Sequence, residues 1–215
     1  MAKKIKNQRE LDKLEFMDLL RSLDREDPED VDYLMEDLEV WGFFKAPASC
    51  RNHADFEGGL LRHSLNTCKM ALIIREQLLL VKPNLENKLP MDSVIIASLL
   101  HDVCKSDIYQ KTVRRQKTVT GEWESQQMYN VDYTAFPMGH GEKSVIMLLR
   151  SGFELTDDEM LAIRWHMAAW DLPMQSQEMV ANLNKARDKC PLLALVQTAD
   201  TLAANVLERD FSLVK

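Results

Sequence analysis

The sequence has no excess of positive charge, and this lack bears on the partners it can bind. Its 215 residues contain 27 Lys and Arg against 34 Asp and Glu, a formal net charge of −7. Proteins grip duplex nucleic acid chiefly by placing lysines and arginines against the phosphates. We therefore expect no duplex nucleic acid among the partners of this chain.

Long apolar runs and closely spaced cysteines are also missing. No stretch reaches the roughly 18 apolar residues that a transmembrane helix needs, and no apolar run follows the basic residues near the N-terminus as in a secretory signal. The four cysteines are scattered without a C-x-x-C pair, which favours free thiols in a reducing compartment. We expect a cytoplasmic protein without a membrane partner.

Apolar residues at helical spacing are abundant from the N-terminus onward. Residues 8–23 and 28–42 each carry a one-sided apolar stripe, so we predict two amphipathic helices. We interpret residues 1–45 as a helical cover packed on a main domain of residues 46–215. The acidic cover is also the candidate contact for a homodimer. The first stripe consists of Leu11, Leu14, Met17, Leu20 and Leu23.

Further helical patterns fill most of the main domain. The run from Val94 to Leu100 is apolar nearly all round, which is typical of a helix at the centre of a fold. The last apolar run, which we expect to bury residues from Leu192 to Val206, has Asp200 in its middle. The predicted helices of this domain cover about residues 60–79, 92–101, 144–151, 157–170, 177–187 and 191–206.

One segment differs from the helical remainder. Residues 108–132 are rich in Thr and Val, alternate loosely and contain a turn residue at Gly121, so we predict a small β-hairpin or lid there. Its first half is basic and includes Arg114 and Arg115, although the whole chain is acidic. Two interpretations stay open at this point: a solvated basic loop, or a flap that faces a substrate phosphate.

Buried polar residues suggest a metal site. The central apolar run ends in His101-Asp102, and burying an imidazole and a carboxylate is costly without a partner. Asp200 has the same problem within its apolar helix. One histidine on a helix is usually a satisfied core residue, but four of the five histidines lie at or within apolar helices. Imidazoles and carboxylates that converge inside a helical bundle can hold a metal ion. The five histidines are His53, His63, His101, His140 and His166.

Three sequence blocks resemble the HD-domain superfamily of metal-dependent phosphohydrolases. They are GGLLRHSL at 58–65, LLHDVCK at 99–105 and TAD at 198–200, and they follow the family order of His, His-Asp and Asp. The resemblance implies an all-α fold, an HD-type helical bundle in which the hairpin is an insertion. It also implies a first metal ion held by His63, His101, Asp102 and Asp200, and a second ion that Asp102 shares with His140 and His166. The ions would be divalent: Mn, Fe, Co, Ni, Mg or Zn.

The resemblance further implies a hydrolase whose substrate is a small phosphorylated molecule, and the single acidic domain favours a nucleotide. Asp102 and Lys105 would be catalytic, with Lys105 stabilising charge on the phosphate; a cation that only complements a helix C-terminus is the alternative. Lys105 would also bind substrate, together with His53, Arg114 and Arg115. His53 has a second interpretation as a loop cap.

Two alternatives to hydrolysis remain open from the sequence. Di-iron oxygenases use the same ordered set of four histidines and two aspartates on the same fold. A non-catalytic nucleotide-binding module is the other alternative, although the complete ligand set argues against it. Cys104 stands where many members have Gly, which leaves the ligands intact but says little about the substrate.

Overall fold

The structure is a computed structural model that describes residues 2–24, 27–51, 53–117, 121–168 and 176–211. Within these ranges the fold is a helical bundle with one antiparallel hairpin, which confirms the predicted all-α class with a small β insertion. No single helix in the described part of the chain is long and apolar enough to cross a membrane. The two helical segments on either side of Cys190, which are bent by 101° relative to each other, reach that length and composition only together. The helices are α1 (Ala2–Arg21), α2 (Pro28–Trp41), α3 (Gly59–Val81), α4 (Met91–Leu100), α5 (His140–Arg150), α6 (Asp157–Trp165), α7 (Gln177–Lys189) and α8 (Pro191–Leu202).

Helix α4 lies at the centre, as its composition predicts. Every residue from Ser93 to Leu100 is buried, and α4 contacts α3, α6 and α8. Helix α3 packs against α4 and α8, while α5 packs against α6. The carboxyl end of α4 therefore opens into the space that α3, α5, α6 and α8 share. A short 3-10 helix, Val103–Ser106, continues the chain from that end.

The N-terminal helices pack on this core, but only the second half of the predicted stripe is buried, since Leu20 and Leu23 are buried and Met17 is half-buried. Leu11 and Leu14 are more than half exposed, whereas Asp12 and Phe16 are buried. Asp12 tolerates burial because its Oδ2 accepts hydrogen bonds from Nε (2.8 Å) and Nη2 (2.6 Å) of Arg62 on α3. The division of the chain at residue 45 stays a prediction.

Two glycines allow the backbone to approach the helices around the shared space very closely. A Cβ atom on Gly59, at the start of α3, would lie 1.9 Å from the carbonyl oxygen of Ala54. A Cβ atom on Gly141, in the first turn of α5, would lie 2.1 Å from the carbonyl oxygen of Arg164 on α6. Only glycine fits at such contacts. They bring the loop before α3 onto α3, and the start of α5 onto α6.

The predicted insertion is a two-stranded hairpin. Strand β1 (Tyr109–Lys117) pairs antiparallel with β2 (Trp123–Val131), and Tyr109 lies opposite Val131. Residues 118–120 of the predicted turn lie outside the described residues. Near the base of the hairpin, Lys111 Nζ forms an ion pair with Glu57 at 2.6 Å.

Helix α6 ends earlier than the prediction that extended it to residue 170. A capping box of Thr156 and Glu159 begins it, and its last residue is Trp165. His166 follows at the C-terminal cap, and Ala168 has a positive φ of 47°, which a helix cannot contain. The predicted helical position Trp170 lies outside the described residues.

Helix α8 also departs from the predicted pattern. After Leu202 the chain forms a π-helical turn, Ala203–Leu207, in which Val206 is 51% exposed although we predicted it to be buried. A π turn holds about one residue more than an α turn, so it shifts the faces of all residues that follow.

Candidate metal centre

All six residues predicted to bind metal converge at the carboxyl end of α4. Their side chains lie at the meeting point of α3, α4, α5, α6 and α8, and all are buried except those of His140 and Asp200, which are 17% and 19% exposed. The contributors are His63 from α3, His101 and Asp102 after α4, His140 at the start of α5, His166 after α6, and Asp200 from α8.

His101 and His166 are oriented by the same local feature. Each occupies the C-terminal cap of its helix, where the last carbonyl groups lack helical partners. His101 Nδ1 donates to the carbonyl oxygen of Ser98 at 2.8 Å, and His166 Nδ1 donates to that of Ile163 at 2.7 Å. A proton on Nδ1 leaves a lone pair on Nε2 of the neutral ring. Both lone pairs therefore point away from the helices and towards Asp102.

Asp102 presents one carboxylate oxygen to each of two histidine pairs. Its Oδ2 lies 3.5 Å from His63 Nε2 and 3.2 Å from His101 Nε2. Its Oδ1 lies 2.6 Å from His140 Nε2 and 3.4 Å from His166 Nε2. A carboxylate in this position is able to bridge two metal ions.

We call the six converging residues the cluster. Asp200 lies on the side of the cluster that His63 and His101 form. Its Oδ1 lies 3.1 Å from His63 Nε2 and 4.0 Å from His101 Nε2. The ligand atoms of these three residues lie within 4.8 Å of one another, which is compatible with one metal ion. We call this group the first half-site, and the group of His140 and His166 around Asp102 the second half-site.

The buried histidine nitrogens and the carboxylate oxygens beside them suit a metal ion better than direct contact with each other. Nε2 of His63, His101 and His166 is buried and forms no hydrogen bond with the described residues, although carboxylate oxygens lie close by. When a ring is neutral, its Nε2 lone pair faces a carboxylate lone pair and the two repel, so a cation between them, either a proton or a metal ion, stabilises the arrangement. Imidazole nitrogen and carboxylate oxygen are ligands that divalent transition metals accept.

The pKa values of His63 and His140 reflect the same electrostatic environment. Burial opposes a charge on His63, but the carboxylates of Asp102, Asp200 and Glu208 raise its pKa well above the usual value. Burial likewise opposes a charge on His140, yet Cys104 and Asp102 raise its pKa to about 9. These rings hold protons where a metal ion would otherwise bind, so we expect metal binding to release protons.

Lys105 lies beside Asp102, and its predicted role in catalysis and substrate binding stays a prediction. Its Nζ forms an ion pair with Asp102 Oδ2 at 2.6 Å, and its side chain is 12% exposed. Burial disfavours its charge, but Asp102 outweighs this effect and raises the pKa of Lys105 above the usual value. Lys105 is thus a permanent cation beside the cluster.

His53 also lies beside the cluster. Its ring centre is 4.9 Å from that of His63, and its buried Nε2 has no hydrogen-bond partner among the described residues. Burial, together with the nearby His63 and Lys105, lowers the pKa of His53 to about 4. The ring is therefore neutral at neutral pH. Arg114 and Arg115 lie farther along β1 and are exposed, so their role in binding substrate stays a prediction.

Several residues near the cluster were not anticipated from the sequence. The Tyr109 hydroxyl donates to the carbonyl oxygen of Ala48 at 3.3 Å, and burial raises the pKa of this phenol. Cys104 Sγ lies 3.4 Å from His140 Nδ1. Glu208 contacts His63 from the side opposite the cluster. Neither Tyr109, the first residue of β1, nor Glu208 carries a sequence signal that identifies it.

Comparison with protein families agrees with the geometry. Residues 60–205 match the model of the HD domain, so the chain belongs to the HD-domain family, whose members are of the metal-dependent hydrolase type. No significant match exists among curated proteins or among solved structures. The matched range includes all six predicted ligands and Lys105, whereas His53 and Glu208 lie outside it.

Proposed function

We propose that this protein is a metal-dependent phosphohydrolase that acts on a small phosphorylated molecule, most specifically a nucleotide. The observation that carries the proposal is the position of Lys105. Its Nζ lies 2.6 Å from Asp102 Oδ2 and its side chain is 12% exposed, beside a group of residues that otherwise comprises two carboxylates and four imidazoles. A substrate group that approaches here meets a fixed positive charge beside the metal ligands. Such a position suits an oxygen of a phosphoryl group.

The ligand set supports hydrolysis. A divalent ion held in the half-sites would polarise a phosphoryl oxygen and lower the pKa of a bound water. Asp102 and Asp200 would hold the divalent ions in place. Lys105 would stabilise the negative charge that develops on the phosphoryl oxygens. His53 is neutral and its Nε2 has no hydrogen-bond partner among the described residues, so it would hold an oxygen of the substrate or of the leaving group.

The charge of the molecule supports a small substrate. With a net charge of −7, the protein repels long polyanions at a distance, whereas a nucleotide needs only a local cationic site. Lys105 provides that site. The hairpin adds Arg114 and Arg115 on an exposed strand, where they would contact a phosphate or ribose only if the hairpin covers the entrance.

A substrate screen tests the proposal. The protein is stripped with a chelator, reloaded singly with Mn²⁺, Fe²⁺, Co²⁺, Ni²⁺, Mg²⁺ or Zn²⁺, and assayed with nucleoside mono-, di- and triphosphates, cyclic nucleotides and a generic phosphodiester. We expect hydrolysis of at least one nucleotide that is lost with chelator and restored by metal. Oxygen consumption by the Fe²⁺ form without hydrolysis would indicate an oxygenase instead. Nucleotide binding that is independent of metal and without turnover would indicate a binding module.

A matched pair of lysine variants tests the role of Lys105. Lys105→Met should lower kcat about 10²–10³-fold, the usual cost of losing one group that stabilises a transition-state charge, and should leave the metal content intact. Lys69→Met is the control, because Lys69 pairs with Glu15 on the outer surface of α3 and lies outside the cluster. Equal activity of the two variants would contradict the role.

A further inference from the structure

Glu208 forms a buried contact with the back of a metal-ligand candidate. Its two carboxylate oxygens each lie 3.1 Å from His63 Nδ1, and its side chain is only 3% exposed. The same carboxylate accepts a hydrogen bond from Asn66 Nδ2 at 3.0 Å. Asn66 lies one turn after His63 on α3, so a single helix face supplies both donors. Glu208 is thus held by two partners against the ring of His63.

The contact is directed at one edge of the imidazole only. Nδ1 of His63 faces Glu208, whereas Nε2 of the same ring faces Asp102 and Asp200. An Nδ1–H that donates to Glu208 leaves the Nε2 lone pair facing the first half-site. Glu208 therefore has for His63 the role that backbone carbonyls have for His101 and His166.

The π-helical turn after α8 brings Glu208 to this position. An α-helix turns by about 100° per residue, so an unbroken helix would place Glu208 about 80° away from the face that carries Asp200. The turn Ala203–Leu207 contains an extra residue and is closed by a bond from Glu208 N to Ala203 O at 3.0 Å. It turns Val206 outwards and returns Glu208 towards α3. π turns of this kind are frequent at functional sites.

We propose that Glu208 is a positioning residue of the metal centre, which orients His63 and strengthens metal binding at the first half-site. This inference rests on the proposed function, since it requires that His63 binds metal. A buried carboxylate behind a histidine ligand fixes its orientation and increases electron donation from the ring. The negative charge of Glu208 also attracts a cation across the imidazole.

Glu208 contacts a candidate ligand of the first half-site, which makes the proposal specific. Its carboxylate lies 3.1 Å from His63 Nδ1, whereas His140 Nδ1 lies 3.4 Å from the Cys104 sulfur. Loss of Glu208 should therefore affect the first ion, the one held by His63, more than the second ion.

Metal titration of matched variants tests this inference. Co²⁺ is titrated into chelator-stripped wild-type protein and into Glu208→Ala, Glu208→Gln and Glu76→Gln, with a competing chromophoric chelator. The last variant is the control, since Glu76 is exposed on α3. We expect Glu208→Ala to raise the Kd of the first ion about 10–100-fold and to leave that of the second ion unchanged. The Kd of the first ion for Glu208→Gln should lie between those of wild type and Glu208→Ala, because the amide oxygen still accepts a hydrogen bond from His63 but carries no charge.

A second readout separates positioning from folding. In the Zn²⁺ form, the His63 Nδ1–H proton should resonate far downfield in wild-type NMR spectra and move upfield in Glu208→Gln. If Glu208→Ala does not fold, Asn66→Leu is tested instead. It removes the second partner of Glu208 and should also raise the Kd of the first ion.

The possible failures are distinguishable. A wild-type protein that binds no metal would overturn the metal centre and this inference together. Wild-type binding of metal with no change in Glu208→Ala or Asn66→Leu would overturn the role of Glu208 alone. An additional ion that disappears in Glu208→Ala would also overturn it, because Glu208 would then be a direct ligand with His53 and His63.

Discussion

Gly141→Ala should disrupt the second half-site while the first half-site remains functional. A Cβ atom at this position would lie 2.1 Å from the carbonyl oxygen of Arg164, 2.6 Å from its carbonyl carbon and 2.8 Å from its Cα. All three are backbone atoms of α6, so no side-chain rotation relieves the overlap. Helix α5 must move away from α6, and it carries His140 with it.

The size of the displacement follows from the contact. Ordinary contact begins near 3.4 Å, so a Cβ at 2.1 Å requires the two backbones to separate by about 1.3 Å. Metal–ligand distances tolerate deviations of only about 0.2 Å, so His140 and His166 would no longer reach a common ion. The substitution should also cost about 1–3 kcal/mol of unfolding free energy, the usual cost of overpacking.

Gly139→Ala is the matched control. It lies on the other side of His140, and its Cβ would meet only the flexible side chain of Glu142. Metal analysis after dialysis should find two ions per chain in wild type and Gly139→Ala but one in Gly141→Ala, and phosphohydrolase activity should fall about 10²-fold or more in Gly141→Ala. Two retained ions together with wild-type activity would refute the reasoning that close packing of α5 on α6 builds the second half-site.

Three other perturbations address the remaining parts of the site. Asp102→Ala should abolish binding of both ions and all activity, because both half-sites lose a shared ligand; metal analysis that finds the wild-type stoichiometry would refute its bridging position. Arg114→Gln combined with Arg115→Gln should raise KM at unchanged metal content, and unchanged steady-state kinetics would exclude the hairpin from substrate binding. Metal affinity, measured by chelator competition, should increase between pH 6.5 and 9, because bound metal displaces the proton from His140, whose pKa is about 9 in the metal-free protein. The stability of the metal-free protein should change in the opposite sense: the raised pKa of His140 stabilises the fold fully below pH 6.5 and no longer does so above about pH 9. A flat profile for both properties would show that His140 carries no such proton.

The convergence of the candidate ligands was predictable because their signals are local, while their binding of metal stays a prediction. His101 and Asp102 end an apolar run, and Asp200 interrupts another, so each is a buried polar residue that needs a partner. The chain order of the motif blocks then added His63, His140 and His166. Each predicted helix overlaps a helix of the structure, although α5 begins four residues earlier, α6 ends earlier and α8 gives way to the π turn. The insertion predicted at 108–132 is the hairpin Tyr109–Val131.

The errors arose where tertiary contacts override periodicity. Leu11 and Leu14 were predicted to be buried, but the inward side of α1 carries Asp12, Phe16 and Leu20 at a spacing of four. The ion pair with Arg62 allows Asp12 to face inwards. Val206 was predicted to be buried because the apolar pattern continues, yet the π turn exposes it. No residue within Ala203–Leu207 is glycine or proline, so the sequence contains no local signal for this break.

The residues that support the ligands could not be predicted for the same reason. Glu208 lies 145 positions from His63 in the chain, and only the π turn after α8 brings them together. Tyr109 and Cys104 are ordinary members of a strand and of a short helix in sequence. Contacts of this kind depend on how helices pack, whereas the candidate ligands are recognisable from burial and motif order.

Anomalous diffraction at the Mn edge from crystals of the Mn²⁺-loaded protein would test the central claim most directly. The structure predicts two peaks that flank the Asp102 carboxylate: one in contact with His63, His101 and Asp200, and the other with His140 and His166. A loaded, active protein whose Mn²⁺ lies elsewhere, or that shows no peak at Asp102, would contradict the account.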